Sequence, residues 1–254
     1  MSSGPSRVLG LDVSAYIVRG AMIDTGFPGA RRPLLDAARS LGVRGAIVTH
    51  WHEDHAGNVE PLVRAGLPVW MHPDTETRLR YPPSIRLYRR LTWGRLSPLQ
   101  SDVQPFDEAG LEPGATPGHS PDHHVVWDRE TGTLFSGDLW LGIRARVLHA
   151  TENPYQIIES LERIRAFAPA RMFDAHRGLV SDPARAITAK ITWLRETLGE
   201  IERCIDQGLT DRTIVNRVLG GEELVAALSF GEYARRNLVA AVRRHLARPE
   251  PAAR

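Results

Sequence analysis

Hydrophobic positions in the first 180 residues come in short runs separated by turn residues, and the period of the pattern keeps changing. Residues 8–24 read as two or three short strands, with 14–19 and 20–24 forming a hairpin-like opening. Residues 31–42 follow with Leu34, Leu35, Ala38 and Leu41 on one face, the spacing of an amphipathic helix. Residues 44–49 are apolar and β-branched and predict a buried strand. Ala56, Gly57 and Asn58 then mark a turn, and a helix starts at Val59. A further strand is expected over 67–71. Short strands return between 101 and 140, with Pro113, Gly114 and Pro117 as turn markers, residues 121–127 running into one strand and 133–136 forming another. Residues 154–168 predict a helix with Ile157, Ile158, Leu161 and Ile164 on its buried face, and 171–175 the next strand.

After Asp182 and Pro183 the pattern is purely helical. Ile187, Ile191, Leu194, Leu198, Ile201 and Ile205 recur every three or four residues up to Gly208. Thr210 reads as the N-cap of a helix over 211–219, and a last amphipathic helix is expected over 233–246. Residues 74–100 fit no simple pattern. Arg78, Arg80, Arg86, Arg89, Arg90 and Arg95 are interleaved there with Tyr81, Tyr88 and Trp93. Three readings stay open: a lid whose arginines hold an anionic part of a substrate, a solvated helix over aromatic packing, or a platform stacking on bases.

Composition narrows the class. A chain of 254 residues suits one α/β domain or a domain with an appendage, and a 42% hydrophobic fraction is ample for a core. No apolar run approaches the roughly 20 residues that span a bilayer, so no membrane association is expected. Residues 1–7 carry no signal-peptide core, and Cys204 is the single cysteine. No intrachain disulfide is available, and a reducing cytoplasm fits. Lys190 is the only lysine, so the net charge of +2 rests almost wholly on arginine. Nucleic-acid recognition needs a clustered basic face, which this composition does not favour.

The chemistry concentrates in Thr49-His50-Trp51-His52-Glu53-Asp54-His55, a loop leaving the strand over 44–49. Imidazole and carboxylate are the donors that borderline divalent cations accept. On an extended segment His50 and His52 point the same way, because side chains alternate with period two. Asp54 and His55 follow where the chain turns, so they can face a second position a few ångströms away.

This His-x-His-x-Asp-His pattern is similar to the signature of the metallo-β-lactamase-fold hydrolases. The chain offers all five motifs of that family in order: Asp24 in Asp24-Thr25-Gly26, the cluster His50 to His55, His119 in Thr116-Pro117-Gly118-His119, Asp138 in Ser136-Gly137-Asp138, and His176 in Ala175-His176-Arg177-Gly178. The family usually shows Gly-His-Gly at the last motif, so Arg177 predicts a locally different loop. The resemblance implies an α/β fold, a four-layer αββα sandwich forming a catalytic domain over residues 1–180. A C-terminal helical extension over 181–254 would pack on it, shape the cleft or dimerise.

By the same resemblance, His50, His52 and His119 hold a first metal, Asp54, His55 and His176 a second, and Asp138 bridges them. Asp24 is expected to accept hydrogen bonds beside the ligands, unless it only caps its turn, and His123 to support the loop of His119. His72 is expected to be structural, His124 to point to the opposite face unrelated to the site, and His149 is a candidate substrate or leaving-group residue. Two zinc ions are implied, with iron or manganese as alternatives. They would share a hydroxide that Asp54 orients as the catalytic carboxylate. No serine or cysteine nucleophile is needed, and Ser120 and Ser136 suggest no triad. The expected reaction is hydrolysis of an ester, thioester or lactone of small-molecule size. The alternatives are phosphodiester cleavage of RNA, or iron-dependent chemistry of the persulfide-dioxygenase kind. The motifs name no substrate-contacting residue.

Overall fold

In the central strands of the computed structural model, which describes Met1 and residues 12–247, alternate side chains enter different cores. β1 (Tyr16–Val18), β2 (Ala21–Ile23), β3 (Gly45–Ile47) and β4 (Val69–Trp70) make one sheet in that order. β1 and β2 pair antiparallel, and β2, β3 and β4 run parallel. Met22, Ala46 and Val69 face outward onto Leu34 and Ala38 of α1 (Arg31–Ser40) and onto Val59 and Leu62 of α2 (Val59–Arg64). Ala21, Ile23 and Ile47, one residue away, face inward onto Val126 and Phe135 of the second sheet.

That second sheet has the order β10–β9–β7–β6–β5, built from β5 (Leu111–Ala115), β6 (His124–Asp128), β7 (Thr133–Phe135), β9 (Arg171–Asp174) and β10 (Gly178–Val180). Its outer face, Val125, Leu134 and Met172, packs on Leu161 and Ile164 of α5 (Pro154–Arg165) and on Ile187, Ile191 and Leu194 of α6 (Pro183–Asp206). The result is helix, sheet, sheet, helix: the expected four layers. Gly45 belongs to the contact between the sheets, since a Cβ there would lie 2.1 Å from the ring of Phe106. β7 and β9 are parallel, and β5 runs the same way through antiparallel β6, so the carboxyl ends of β5, β7 and β9 share one rim.

α6 serves two cores. Its first half closes the sandwich, and Leu198, Ile201 and Cys204 of its second half pack on Ile214 and Val215 of α7 (Asp211–Leu219). Leu238, Val239 and Val242 of α9 (Arg236–Leu246) complete that cluster. Thr210 caps α7 by accepting from Thr213 N, as expected. The end of the chain departs from the expected helix over 233–246. Tyr233 and Ala234 instead form β11 (Tyr233–Ala234), which pairs antiparallel with β8 (Leu148–His149), and α9 starts only at Arg236. Main-chain pairing with a strand 84 positions away overrides the local helical spacing; Tyr233 lies opposite His149. Residues 74–100 also differ from a single helix. They hold α3 (Pro73–Arg80) and α4 (Leu87–Thr92), and α8 (Leu224–Leu228) lies between α7 and β11. The strand reading for residues 8–11 lies outside the described residues. No helix among the described residues is long and apolar enough to cross a membrane.

Candidate metal centre

The motif loops leave β2, β3, β5, β7 and β9 at their carboxyl ends and converge. Asp24, with its backbone at φ 61°, organises two of them. Its Oδ1 accepts from the Thr49 amide at 2.8 Å and the Thr49 hydroxyl at 2.9 Å. Its Oδ2 lies 2.8 Å from His55 Nδ1. Because the Thr49 hydroxyl donates to Asp24, it accepts from His50 Nδ1, 3.0 Å away. His119 Nδ1 faces Glu152 Oε1 at 2.5 Å, and His176 Nδ1 faces the Asp12 carbonyl at 2.6 Å. In each ring an acceptor holds an outward Nδ1–H, which leaves Nε2 as the nitrogen aimed inward. His52 uses its other nitrogen: Nδ1 lies 2.9 Å from His50 Nε2 and 3.0 Å from His119 Nε2.

Two groups of donors result, His50, His52, His119 and Asp138 in one, and Asp54, His55 and His176 in the other, each with its donor atoms within 4.8 Å of one another. Asp138 faces both. Its Oδ2 lies 3.4 Å from His119 Nε2, while its Oδ1 lies 3.3 Å from His55 Nε2 and 3.2 Å from His176 Nε2. Asp54 Oδ2 is 3.5 Å from His176 Nε2 and 3.8 Å from His55 Nε2. His55 Nε2 and Asp138 Oδ1 are buried yet form no hydrogen bond. Two such atoms facing each other are costly in a protein interior unless a third group satisfies both. A divalent cation meets that need, and the imidazole and carboxylate donors match its chemistry.

Electrostatics divide the rings. Burial, then the neighbouring rings of His55, His52 and His119, hold His50 well below the ordinary histidine range. Burial, then His119 and Arg89, do the same to His52. For His55 burial opposes the charge, but Asp138, Asp24 and Asp54 outweigh it and raise the ring well above its ordinary value. His176 is pushed up to about 9, Asp138 overcoming burial. His119 is raised because Glu152 outweighs burial. Burial resists ionisation of Asp138, but His176 and His55 hold it well below the carboxylate range.

Supporting residues sit where the loops need them. Gly137, at φ 50°, brings the Asp138 amide to within 3.0 Å of His123 Nε2, and a Cβ at Gly137 would lie 2.7 Å from that nitrogen. The other nitrogen of His123 pairs with the Thr116 hydroxyl at 2.9 Å. His124 turns away to the rings of Trp70 and His72, and His72 caps α3 by accepting from Asp74 N. Arg177 gives the last loop its own tie, donating to the Leu141 carbonyl at 3.0 Å. Lys190 of α6 donates to the carbonyls of Trp140 and Gly142, fastening the loop after Asp138.

Three features escaped the sequence reading. Glu152 is buried against His119 and also accepts from the His149 amide at 3.1 Å. Glu53, inside the motif, is fully buried and forks onto Arg89 of α4 through two bonds of 2.6 Å. Glu232 joins the same network, taking Arg89 at 3.2 Å, Tyr88 at 2.6 Å and His149 at 3.1 Å. Arg89 is thus committed to carboxylates, while Arg80 pairs with Glu76 and Arg86 lies 3.6 Å from Glu232. His149 stands beside the centre, its ring 6.3 Å from that of His52.

Comparison with known proteins agrees with this geometry. The family model described as the metallo-beta-lactamase superfamily matches residues 8–176. A beta-lactamase-like protein 2 homolog of Drosophila melanogaster is 28% identical over 209 residues, 72% of this chain and 67% of that protein. An atrochrysone carboxyl ACP thioesterase of Aspergillus fumigatus is 27% identical over 158 residues, 61% of this chain; the match spans only 33% of that longer protein. Among solved structures, a metallo-beta-lactamase family protein from Thermus thermophilus has a TM-score of 0.63 at 19% identity, covering 91% of this chain and 85% of the other. TTHA1623, crystallised in a di-iron-bound form, has a TM-score of 0.57 at 28% identity, covering 73% of this chain and 95% of the other.

Proposed function

This chain belongs to the metallo-beta-lactamase superfamily, and from that premise we propose that it is a hydrolase of an ester, thioester or lactone that works with two divalent cations. The observation that carries the reading is the placement of Asp138, with one carboxylate oxygen toward His119 and the other toward His55 and His176. In this reading His50, His52 and His119 hold one cation, Asp54, His55 and His176 the other, and Asp138 both. Bound there, the cations would polarise the acyl oxygen and lower the pKa of bound water toward about 7. The protein does the rest. Asp24, Glu152 and the Asp12 carbonyl fix the tautomer and aim of the rings. Asp54, whose carboxylate makes no hydrogen bond among the described residues, orients the attacking water.

The thioester arm of the proposal draws support from the fungal relative, whose own activity is named as an acyl carrier protein thioesterase. RNA as a substrate draws less, because Arg80, Arg86 and Arg89 of the arginine-rich segment face carboxylates. Zinc is the expected metal. Iron is the second reading, favoured by the di-iron form of a similar structure. Residues 1–180 would carry the catalysis and 181–254 close its substrate side, in a cytoplasmic protein whose one thiol, Cys204, is buried. The test is turnover of a panel of aryl esters, S-acyl glutathiones, acyl-CoAs, lactones and bis-nitrophenyl phosphate by the metal-loaded protein. Hydrolysis of an acyl substrate is expected. Turnover of the phosphodiester alone would overturn the proposal.

A further inference from the structure

Pairing of β11 with β8 makes the C-terminal segment a wall beside His149, with Tyr233 opposite it. The two rings meet edge to face with centroids 5.0 Å apart, and His149 in turn stands beside His52. The other polar side chains of this wall are committed. His149 has Thr151 at 2.7 Å on one nitrogen and Glu232 at 3.1 Å on the other. Glu232 takes Tyr88 and Arg89, and Arg89 forks onto Glu53. The Tyr233 hydroxyl makes no hydrogen bond to any described residue, although Arg89, Glu53 and Asp54 act on it as charged neighbours. Tyr233 is only partly buried, so its hydroxyl, uncommitted within the protein, is open to a ligand or water. Burial, opposed by Arg89 and reinforced by Glu53 and Asp54, keeps the proton on this phenol, so the group it offers is a donor.

We propose that Tyr233 is a catalytic residue supplied by the C-terminal segment, its hydroxyl donating a hydrogen bond to the acyl oxygen of an ester or thioester seated beside Asp54. The inference rests on the hydrolase reading above. In the step it serves, the oxygen of water adds to the carbonyl carbon while Asp54 takes the proton of that water. The bond to the leaving oxygen or sulfur then breaks, and the proton passes from Asp54 to the leaving group. Tyr233 keeps its own proton throughout. Its hydrogen bond strengthens as charge gathers on the acyl oxygen, which is how a fixed donor lowers a barrier.

The test is Tyr233→Phe in the full-length metal-loaded protein, assayed with p-nitrophenyl butyrate and S-acyl glutathione. Metal content and melting temperature are measured on the same sample. The expected result is a fall in kcat of roughly 10- to 100-fold with KM little changed, at parental metal content and melting temperature. Tyr88→Phe, which removes a hydroxyl already bonded to Glu232, is expected to change kcat less than about 3-fold. Parental kcat in Tyr233→Phe would overturn the inference, and so would loss of metal or of melting temperature, which would make the residue structural. A parent protein that hydrolyses no acyl substrate sinks the hydrolase reading, and the inference with it; an active parent with an equally active variant sinks the inference alone.

Discussion

His50 and His52 sit in a pocket that keeps their rings neutral, whereas His55 and His176, a few ångströms away, are ringed by carboxylates that keep theirs charged. The first pair presents lone pairs ready for a cation. The second, with Asp54 and Asp138 against it, already balances its negative charge with protons that a cation must displace. His119 is mixed, a member of the first group by geometry but raised by its bond to Glu152. One centre is thereby built from two electrostatic designs. The first position is pre-organised by burial, and the second is assembled by charge. In the proposed two-cation reading, a cation at the second group should compete with protons more strongly than one at the first.

The largest expected effect comes from removing the group the two positions share. Asp138→Ala should abolish measurable turnover and lower metal content at both positions while circular dichroism shows the fold intact. An active variant with full metal would break the comparison at its centre. The next effect separates a donor from its support. His119→Ala should weaken binding at the first position by more than His123→Ala, which acts through the Asp138 amide and the Thr116 hydroxyl. Support residues of this kind are worth roughly 10- to 100-fold in metal affinity, and metal titration of the two variants ranks them. The smallest effect is on stability. In chelator-treated protein, His176 has a folded pKa of about 9 against roughly 6.5 unfolded. A raised value stabilises fully below the unfolded pKa, and the contribution is lost as pH rises through the folded one. The denaturant midpoint of the stripped protein should thus fall between about pH 6.5 and 9, and His176→Gln should flatten that fall. A midpoint that does not fall over this range would mean the second position is not held by charge.

Features carried by neighbours in sequence were legible beforehand. The layers follow from strands whose side chains alternate between cores, as Met22 and Ile23 or Leu134 and Phe135 do. All seven expected donors lie in short motifs at strand ends with their spacing set by the loop, and His176 keeps its place beside Arg177 because that residue finds its own partner in Leu141. Features made by distant pairs were not legible. Glu152 meets a ring 33 positions away and Glu53 an arginine 36 positions away, and neither spacing carries a periodic signal. Arg89 looked available for an anionic substrate because its two carboxylate partners come from other parts of the chain. β11 was hidden for the same reason, since two residues ahead of a good helix only become a strand beside β8.

The most direct test of the paired centre is metal content per chain, measured by elemental analysis after loading with zinc or iron and exhaustive buffer exchange. Two ions per chain in the parent protein, falling in Asp138→Ala, is the predicted result. No retained zinc, iron or manganese under any loading condition would contradict the account at its root.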